Sequence, residues 1–154
     1  MKTRTILASL VVSFAGFALC FASDMQMGTW KLNEAKSTLS PGAGKNNSVV
    51  YEAAGDNVKI TIDGVNSEGK PTHNEWTGKF DGKDYAVTGD PTSDARTYNK
   101  VDDHTLTFTV KKGGKVTVTG RVVVAADGKS RTVTASGTDP KGNKFASTAV
   151  YDKQ

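Results

Sequence analysis

Apolar and polar side chains alternate along most of the chain. Val58, Ile60 and Ile62 fall on one face of an extended segment, and the residues between them are polar. The same period of two recurs further on, with apolar positions at Leu106, Phe108, Val110, Val118, Val122 and Val124. This period places one face of a strand on a core and the other in water, so it predicts half-buried β-strands.

Short turn signals separate these segments. Asp81-Gly82 and Gly113-Gly114 are typical of tight hairpins, because glycine accepts the positive φ that such turns need. We predict ten strands, near residues 28–33, 48–54, 57–66, 71–80, 83–88, 94–101, 104–112, 115–126, 130–138 and 143–152. Residues 34–47 are rich in Gly, Ser and Asn, and they are interpreted mainly as a loop with room for one helical turn.

A meander of this length is expected to close. Ten short antiparallel strands would leave exposed edges in a flat sheet, and a barrel or a sandwich reduces that exposure. We therefore expect an all-β fold, a single antiparallel up-and-down β-barrel of about 8 to 10 strands. Composition agrees, since residues 23–154 hold 14 Val and 17 Thr but 3 Leu, and β-branched residues favour strands.

The first 22 residues have the layout of a secretory signal peptide. Lys2 and Arg4 precede an uncharged apolar stretch from residue 6 to residue 19, and small residues follow it. Cleavage is expected after Ala22, with Ala18 as the alternative. The stretch is shorter than the ~20 residues that span a bilayer. The expected organisation is a signal peptide over residues 1–22 and a β-barrel domain over residues 23–154, in a periplasmic or secreted protein.

The one cysteine, Cys20, lies inside this leader. Lipid attachment needs a small residue directly before the cysteine, and Leu19 fits that requirement poorly. Cleavage after Ala22 would leave a chain without a thiol or a disulfide. That chain would carry 18 basic and 16 acidic residues, and a net charge of +2 predicts neither a nucleic-acid partner nor stable membrane insertion.

Both ends of the expected domain resemble the calycins, the group of lipocalins and fatty-acid-binding proteins. The segment 28–32 reads Gly-Thr-Trp-Lys-Leu, which is similar to the opening motif of the fatty-acid-binding proteins, and the segment 147–151 is similar to their closing strand. The resemblance implies a barrel whose base is closed by Trp30, following Gly28. It also suggests an exported bacterial lipocalin-like protein.

Two features depart from that family. Its fatty-acid carboxylate is held by an Arg-x-Tyr pair in the last strand, and this chain has Ala149 at the arginine position while Tyr151 remains. The family also places two lid helices after the first strand, whereas residues 34–47 are shorter and lack a helical apolar stripe. The resemblance therefore implies the barrel but not the binding of a fatty acid.

The sequence offers little catalytic chemistry. His73 lies on a polar strand face beside Glu75, and His104 follows two aspartates in a turn, so both are expected at the surface. The chain has no metal-ligand spacing of His or Cys, no Gly-x-Ser-x-Gly motif and no phosphate-binding glycine loop. We expect no enzyme activity, no catalytic residue, no metal and no cofactor.

Aromatic side chains and arginines are the candidates for a binding site. Arg96 shares a strand face with Tyr98, and Arg131 shares one with Val133; a solvated position is favoured for each arginine. An inward arginine would bind a ligand anion or pack over Trp30. The candidate ligand-binding residues are Trp76, Phe80, Tyr98, Phe108, Arg131 and Tyr151. Strands rich in Val would fill a ten-stranded interior poorly, which favours a cavity over a filled core.

Two functions remain open at this point. The first is an exported protein that holds a small apolar or amphipathic molecule in a barrel cavity. The alternative is an envelope or extracellular interaction module, such as an enzyme inhibitor, with a filled barrel that acts through its outer surface.

Overall fold

The computed structural model describes residues 24–154, which form one closed barrel of ten antiparallel strands. Each strand pairs with its neighbours in sequence, and the first pairs with the last. The strands are β1 (Gly28–Thr38), β2 (Lys45–Ala54), β3 (Asn57–Val65), β4 (Pro71–Gly78), β5 (Asp81–Thr88), β6 (Ala95–Lys100), β7 (Thr105–Lys112), β8 (Lys115–Val124), β9 (Ser130–Thr138) and β10 (Lys144–Lys153). The predicted up-and-down barrel is confirmed. The leader and its cleavage site lie outside the described residues.

The first two strands are longer than predicted. The loop expected over residues 34–47 shrinks to six residues, because β1 continues to Thr38 and β2 begins at Lys45. The pairing of β1 with β10 shifts register between Asn33 and Thr38. At that shift the hydroxyl of Ser37 accepts a hydrogen bond from the amide of Val150 at 2.9 Å and donates one to the carbonyl of Asn33 at 2.7 Å. A polar side chain therefore replaces missing ladder bonds, and the strand continues through a sequence that looks like a loop.

The barrel has two different ends. We call the end where β1 begins the base; it also carries residues 24–27 and the turns that follow β2, β4, β6 and β8. We call the opposite end the mouth; it carries the turns that follow β1, β3, β5, β7 and β9. Met27 donates its amide to the carbonyl of Asp24 at 2.8 Å, and this turn directs residues 24–27 to the base.

The inner face is packed unevenly around the barrel. Most inward side chains of β2 to β6 are buried, whereas Val58 and Tyr85 are half-buried; the buried ones include Val49, Tyr51, Ile60, Ile62, Trp76, Val87 and Tyr98. Many inward side chains of β7 to β10 are only half-buried: Phe108, Val110, Val118, Val133, Ala135, Phe145 and Ala149. The inner face is therefore packed less densely along β7 to β10 than along β2 to β6.

Gly120, in the middle of β8, is required by a close approach between neighbouring strands. A β-carbon at this position would overlap the ring of Phe108 and lie 2.5 Å from the carbonyl oxygen of Thr134. The absence of a side chain at Gly120 therefore lets the ring of Phe108 lie directly against the backbone of β8.

We predict that Gly120→Ala lowers the free energy of unfolding by about 1–3 kcal/mol, because the added methyl group overpacks the site. Urea denaturation measures this change, and the exposed neighbour Thr119→Ala is the control, with an expected change within about 0.5 kcal/mol. Equal stability of Gly120→Ala and the parent protein would contradict the packing described here.

Candidate functional site

Trp30 lies fully buried at the base. Its indole Nε1 donates a hydrogen bond to the carbonyl of Gln26 at 2.8 Å. The buried side chain of Gln26 in turn donates from Nε2 to the carbonyl of His104 at 3.1 Å. These bonds fasten residues 24–27 across the base, so the interior is closed at this end by Trp30 and the segment before it.

Arg131, on β9, projects inward above this closure. Its side chain is 2% exposed, and the guanidinium carbon lies 4.7 Å from the ring centre of Trp30, 4.8 Å from Tyr51 and 5.1 Å from Tyr151. The solvated position favoured from the sequence is wrong for Arg131, because the strand alternation that places Val133 inward applies to Arg131 too. Three ring faces surround the cation at cation–π distance.

Tyr51 and Tyr151 are held in the neutral form beside this cation. Burial raises the pKa of Tyr151 to about 12, against the opposing effect of Arg131. Burial raises the pKa of Tyr51 as well, and Arg131 again works in the opposite direction. The hydroxyl of Tyr151 donates to the carbonyl of Asn46 at 3.0 Å, which ties β10 to β2 across the interior.

Four predicted site residues form one aromatic cluster in the barrel: Trp76, Phe80, Tyr98 and Phe108. The rings of Trp76 and Phe80 stack at 6.2 Å, Tyr98 meets Trp76 edge-on at 4.8 Å, and Phe108 lies 5.9 Å from Tyr98. Phe80 was expected in a strand but occupies the turn between β4 and β5. Tyr151 and Arg131, also predicted, lie at the base, and Tyr51 connects them to this cluster: its ring centre lies 6.4 Å from that of Phe80 and 4.8 Å from the guanidinium carbon of Arg131.

Arg96, on β6, is a second buried arginine that the sequence interpretation had favoured as solvated. Its side chain is 7% exposed. Nη2 lies 3.4 Å from Oδ1 of Asn74 and 3.9 Å from Oδ2 of Asp90. Nε and Nη1 have no hydrogen-bond partner within residues 24–154. Its face shared with Tyr98 was the available signal, since Tyr98 is an obvious inward residue.

Asp90 belongs to the turn between β5 and β6, at the mouth. Burial opposes its charge, but hydrogen bonds from the hydroxyls of Ser93 and Thr92 and from the amide of Thr92 hold the pKa of Asp90 below its usual value. Asp90 is therefore an anion near neutral pH, although its oxygens are already engaged by that turn.

A groove of about 580 Å³ lies on the outer face of the barrel, across β7 to β10 and the end of β1. Its outward side chains are mostly hydroxyls, and Arg121 is its charged member: Thr38, Thr107, Thr109, Thr119, Arg121, Thr134, Ser136, Ala146 and Thr148. Arg121 is exposed, because it alternates along β8 with the inward residues Gly120 and Val122.

Neither histidine lies in a cluster suited to metal binding. His73 is exposed and contacts Asp63 at 2.6 Å, and His104 contacts the carbonyl of Val124 at 3.2 Å at the base. No group of three or more His, Cys, Asp or Glu side chains in residues 24–154 could hold a metal ion. The same residues contain no helix long and apolar enough to cross a membrane.

Comparison with known proteins finds solved β-barrels of similar fold. No family model matches the sequence, and no curated protein matches it. The barrel is similar to the structure of EF1p2_mFAP2b bound to DFHBI, with a TM-score of 0.51 and 12% identity over 86% of this chain and 97% of that chain.

Two other barrels are also similar in structure. Redesigned mFAP1 bound to DFHBI has a TM-score of 0.47 at 16% identity, over 84% of this chain and 95% of that one. A fluorescence-activating β-barrel designed de novo has a TM-score of 0.46 at 12% identity, over 86% of this chain and 97% of that one. Membership of the calycins stays a prediction.

The buried phenols predict a loss of stability in alkali. The unfolded chain releases its phenol protons from about pH 10. Burial delays this release in the folded protein, where the pKa of Tyr151 is about 12. Stability is complete below about pH 10 and falls by up to about 1.4 kcal/mol per pH unit per phenol above it. Urea unfolding at several alkaline pH values should show a shallower fall for Tyr151→Phe. An identical pH dependence in the two proteins would refute this assignment.

Proposed function

We propose that this protein is an exported binding protein, not an enzyme, that holds a small apolar or amphipathic molecule inside its barrel. The observation that carries this proposal is the uneven interior. Aromatic rings pack one side of it, whereas the inward side chains of β7 to β10 keep part of their apolar surface exposed. The ligand would lie between the aromatic cluster and this half-buried face.

The binding energy would come from burial of apolar surface. Each 100 Å² of apolar ligand surface that leaves water contributes about 2.5 kcal/mol, before the costs of association are subtracted. Phe108 and Val118 would gain this burial with the ligand, because both are inward and only half-buried by the protein itself. The closed base leaves the mouth as the route of entry.

The similar barrel EF1p2_mFAP2b supports the proposal at the level of the fold. It was solved bound to DFHBI, so a protein of this fold binds that compound. At 12% identity the similarity extends to no residue of a site, and the proposal depends on the packing of this chain's own interior.

Export follows from the leader described from the sequence. We expect the protein recovered from the periplasm or the medium of its host to begin at Ser23, because Ala22 ends the small-residue segment before it. Intact mass measurement distinguishes this product from one cut after Ala18. A full-length mass with Met1 retained in the cytoplasm would refute export.

The alternative function would use the outer groove. A surface of threonine hydroxyls with Arg121 among them would contact a protein partner, and the interior would take no part. This function would leave the protein unable to take up apolar compounds.

We predict that Val118→Phe lowers the affinity for N-phenyl-1-naphthylamine, a neutral apolar fluorophore, by about tenfold or more. The larger side chain would fill space that the fluorophore needs, and tenfold corresponds to about 1.4 kcal/mol. Fluorescence titration of the parent protein should show saturable enhancement with one site.

Val123→Phe is the matched control, because Val123 lies on the same strand but is 39% exposed and faces outward. Its affinity should equal that of the parent protein. Absence of saturable binding by the parent protein, or equal weakening by the two variants, would contradict an interior site.

A further inference from the structure

We propose that Arg96 is an anion-binding residue and that the molecule held in the barrel carries an acidic head group, which Arg96 receives near the mouth. This inference rests on the proposed function and names the chemical class of its ligand. The shared chemistry is a carboxylate, sulfonate or phosphate attached to an apolar body.

The first support is the state of the guanidinium itself. Arg96 is 6% exposed, yet Nε and Nη1 find no hydrogen-bond acceptor within the described part of the chain. A buried charge that lacks hydrogen bonds is unfavourable, and an arginine has five N–H donors to satisfy. Both atoms are covered by neighbouring side chains, so a bound anion would accept hydrogen bonds from them once those side chains make room.

The second support is the contrast with Arg131. That guanidinium also has Nε and Nη1 without partners in residues 24–154, but three aromatic rings surround it at the base. Arg131 therefore has a structural role that explains its burial. Arg96 instead has a long hydrogen bond to Asn74 and an ion pair with Asp90 at 3.9 Å, and neither contact involves Nε or Nη1.

The third support is the position of Arg96 beside the half-buried side chains of the inner face. Arg96 pairs across the strands with Val110 of β7, which is the first half-buried strand of the inner face. Tyr98, two residues along β6, lies in the aromatic cluster next to Phe108. An acidic group at Arg96 would thus have the apolar surface of Val110 and Phe108 beside it for the rest of the molecule.

Asp90, beside Arg96, is expected to weaken the binding of an anion. Its Oδ2 lies 3.9 Å from Nη2 of Arg96, beyond hydrogen-bond distance, and accepts a hydrogen bond from the hydroxyl of Ser93 at 2.6 Å. Its Oδ1 accepts from the amide and hydroxyl of Thr92. Asp90 therefore competes weakly for Arg96 and repels an incoming anion.

The test compares two fluorophores with the same skeleton. 1-Anilinonaphthalene-8-sulfonate is N-phenyl-1-naphthylamine with an added sulfonate, so the pair isolates the contribution of the acidic group. With the full protein, we expect the sulfonate to bind more tightly than its neutral parent and to displace it. Arg96→Gln should weaken the sulfonate by about tenfold or more and change the neutral compound by less than about twofold.

Three further variants complete the test. Asp90→Asn should tighten the sulfonate by about threefold or more and leave the neutral compound unchanged, which keeps the proposal testable if Arg96→Gln fails to fold. Arg96→Lys should retain part of the preference, because it keeps the charge but not the planar donors. Arg121→Gln, on the outer face, should change neither affinity.

The outcomes separate the two proposals. Equal affinity of the parent protein for the two fluorophores, or equal weakening of the two by Arg96→Gln, overturns the role of Arg96 while the binding function stands. Failure of the parent protein to bind either fluorophore overturns the binding function and, with it, this inference. A loss of sulfonate binding in Arg121→Gln would assign the anion site to the outer groove instead and overturn the proposal.

Discussion

The pairing of β1 with β10 determines which side chains the barrel encloses. Trp30 lies opposite Lys153 and Leu32 opposite Tyr151, so the first strand joins the last and the sheet has no free edge. This closure divides the side chains into an inner and an outer set. It buries Arg131 beside Trp30 and buries Arg96 near the mouth, where an open sheet would leave both arginines in water.

The composition of the two halves of the barrel explains why the interior is uneven. Large aromatic side chains fill the interior along β2 to β6. The aromatic cluster is continuous there, with ring contacts that run from Tyr51 through Phe80 and Tyr98 to Phe108. The inward positions of β7 to β10 carry mostly Val, Ala, Gly and Ser, whose small side chains do not reach across. A ten-stranded barrel is wider than the eight-stranded one that side chains just fill, and these positions are where the proposed ligand would lie.

Much of this architecture could be predicted from the sequence. A period of two identifies which residues share a face, and the hairpin glycines mark where each strand ends, so the ten strands and their order were accessible. The continuation of β1 through Ser37 was not, because its ladder depends on a side-chain hydrogen bond to Val150 that no local pattern reveals. Polar residues in that stretch resemble a loop for this reason.

The burial of the two arginines could not be predicted from the sequence. Alternation indicates that Arg96 shares a face with Tyr98 and that Arg131 shares one with Val133, but hydrophobicity alone favours water for a charged residue. Their burial depends on partners outside their own strands: three rings for Arg131, and Asn74 with Asp90 for Arg96. Likewise, the sequence grouped Tyr151 with the other candidate ligand-binding residues, whereas the structure packs its ring against Arg131 at the base.

Native mass spectrometry of the protein recovered from its own host would show whether the interior is occupied. We expect a reproducible mass above that of the polypeptide, released on organic extraction as an amphipathic acid, at a ratio of one molecule per barrel. A polypeptide mass without any bound species, from a protein that also takes up no apolar compound afterwards, would contradict a binding site inside the barrel.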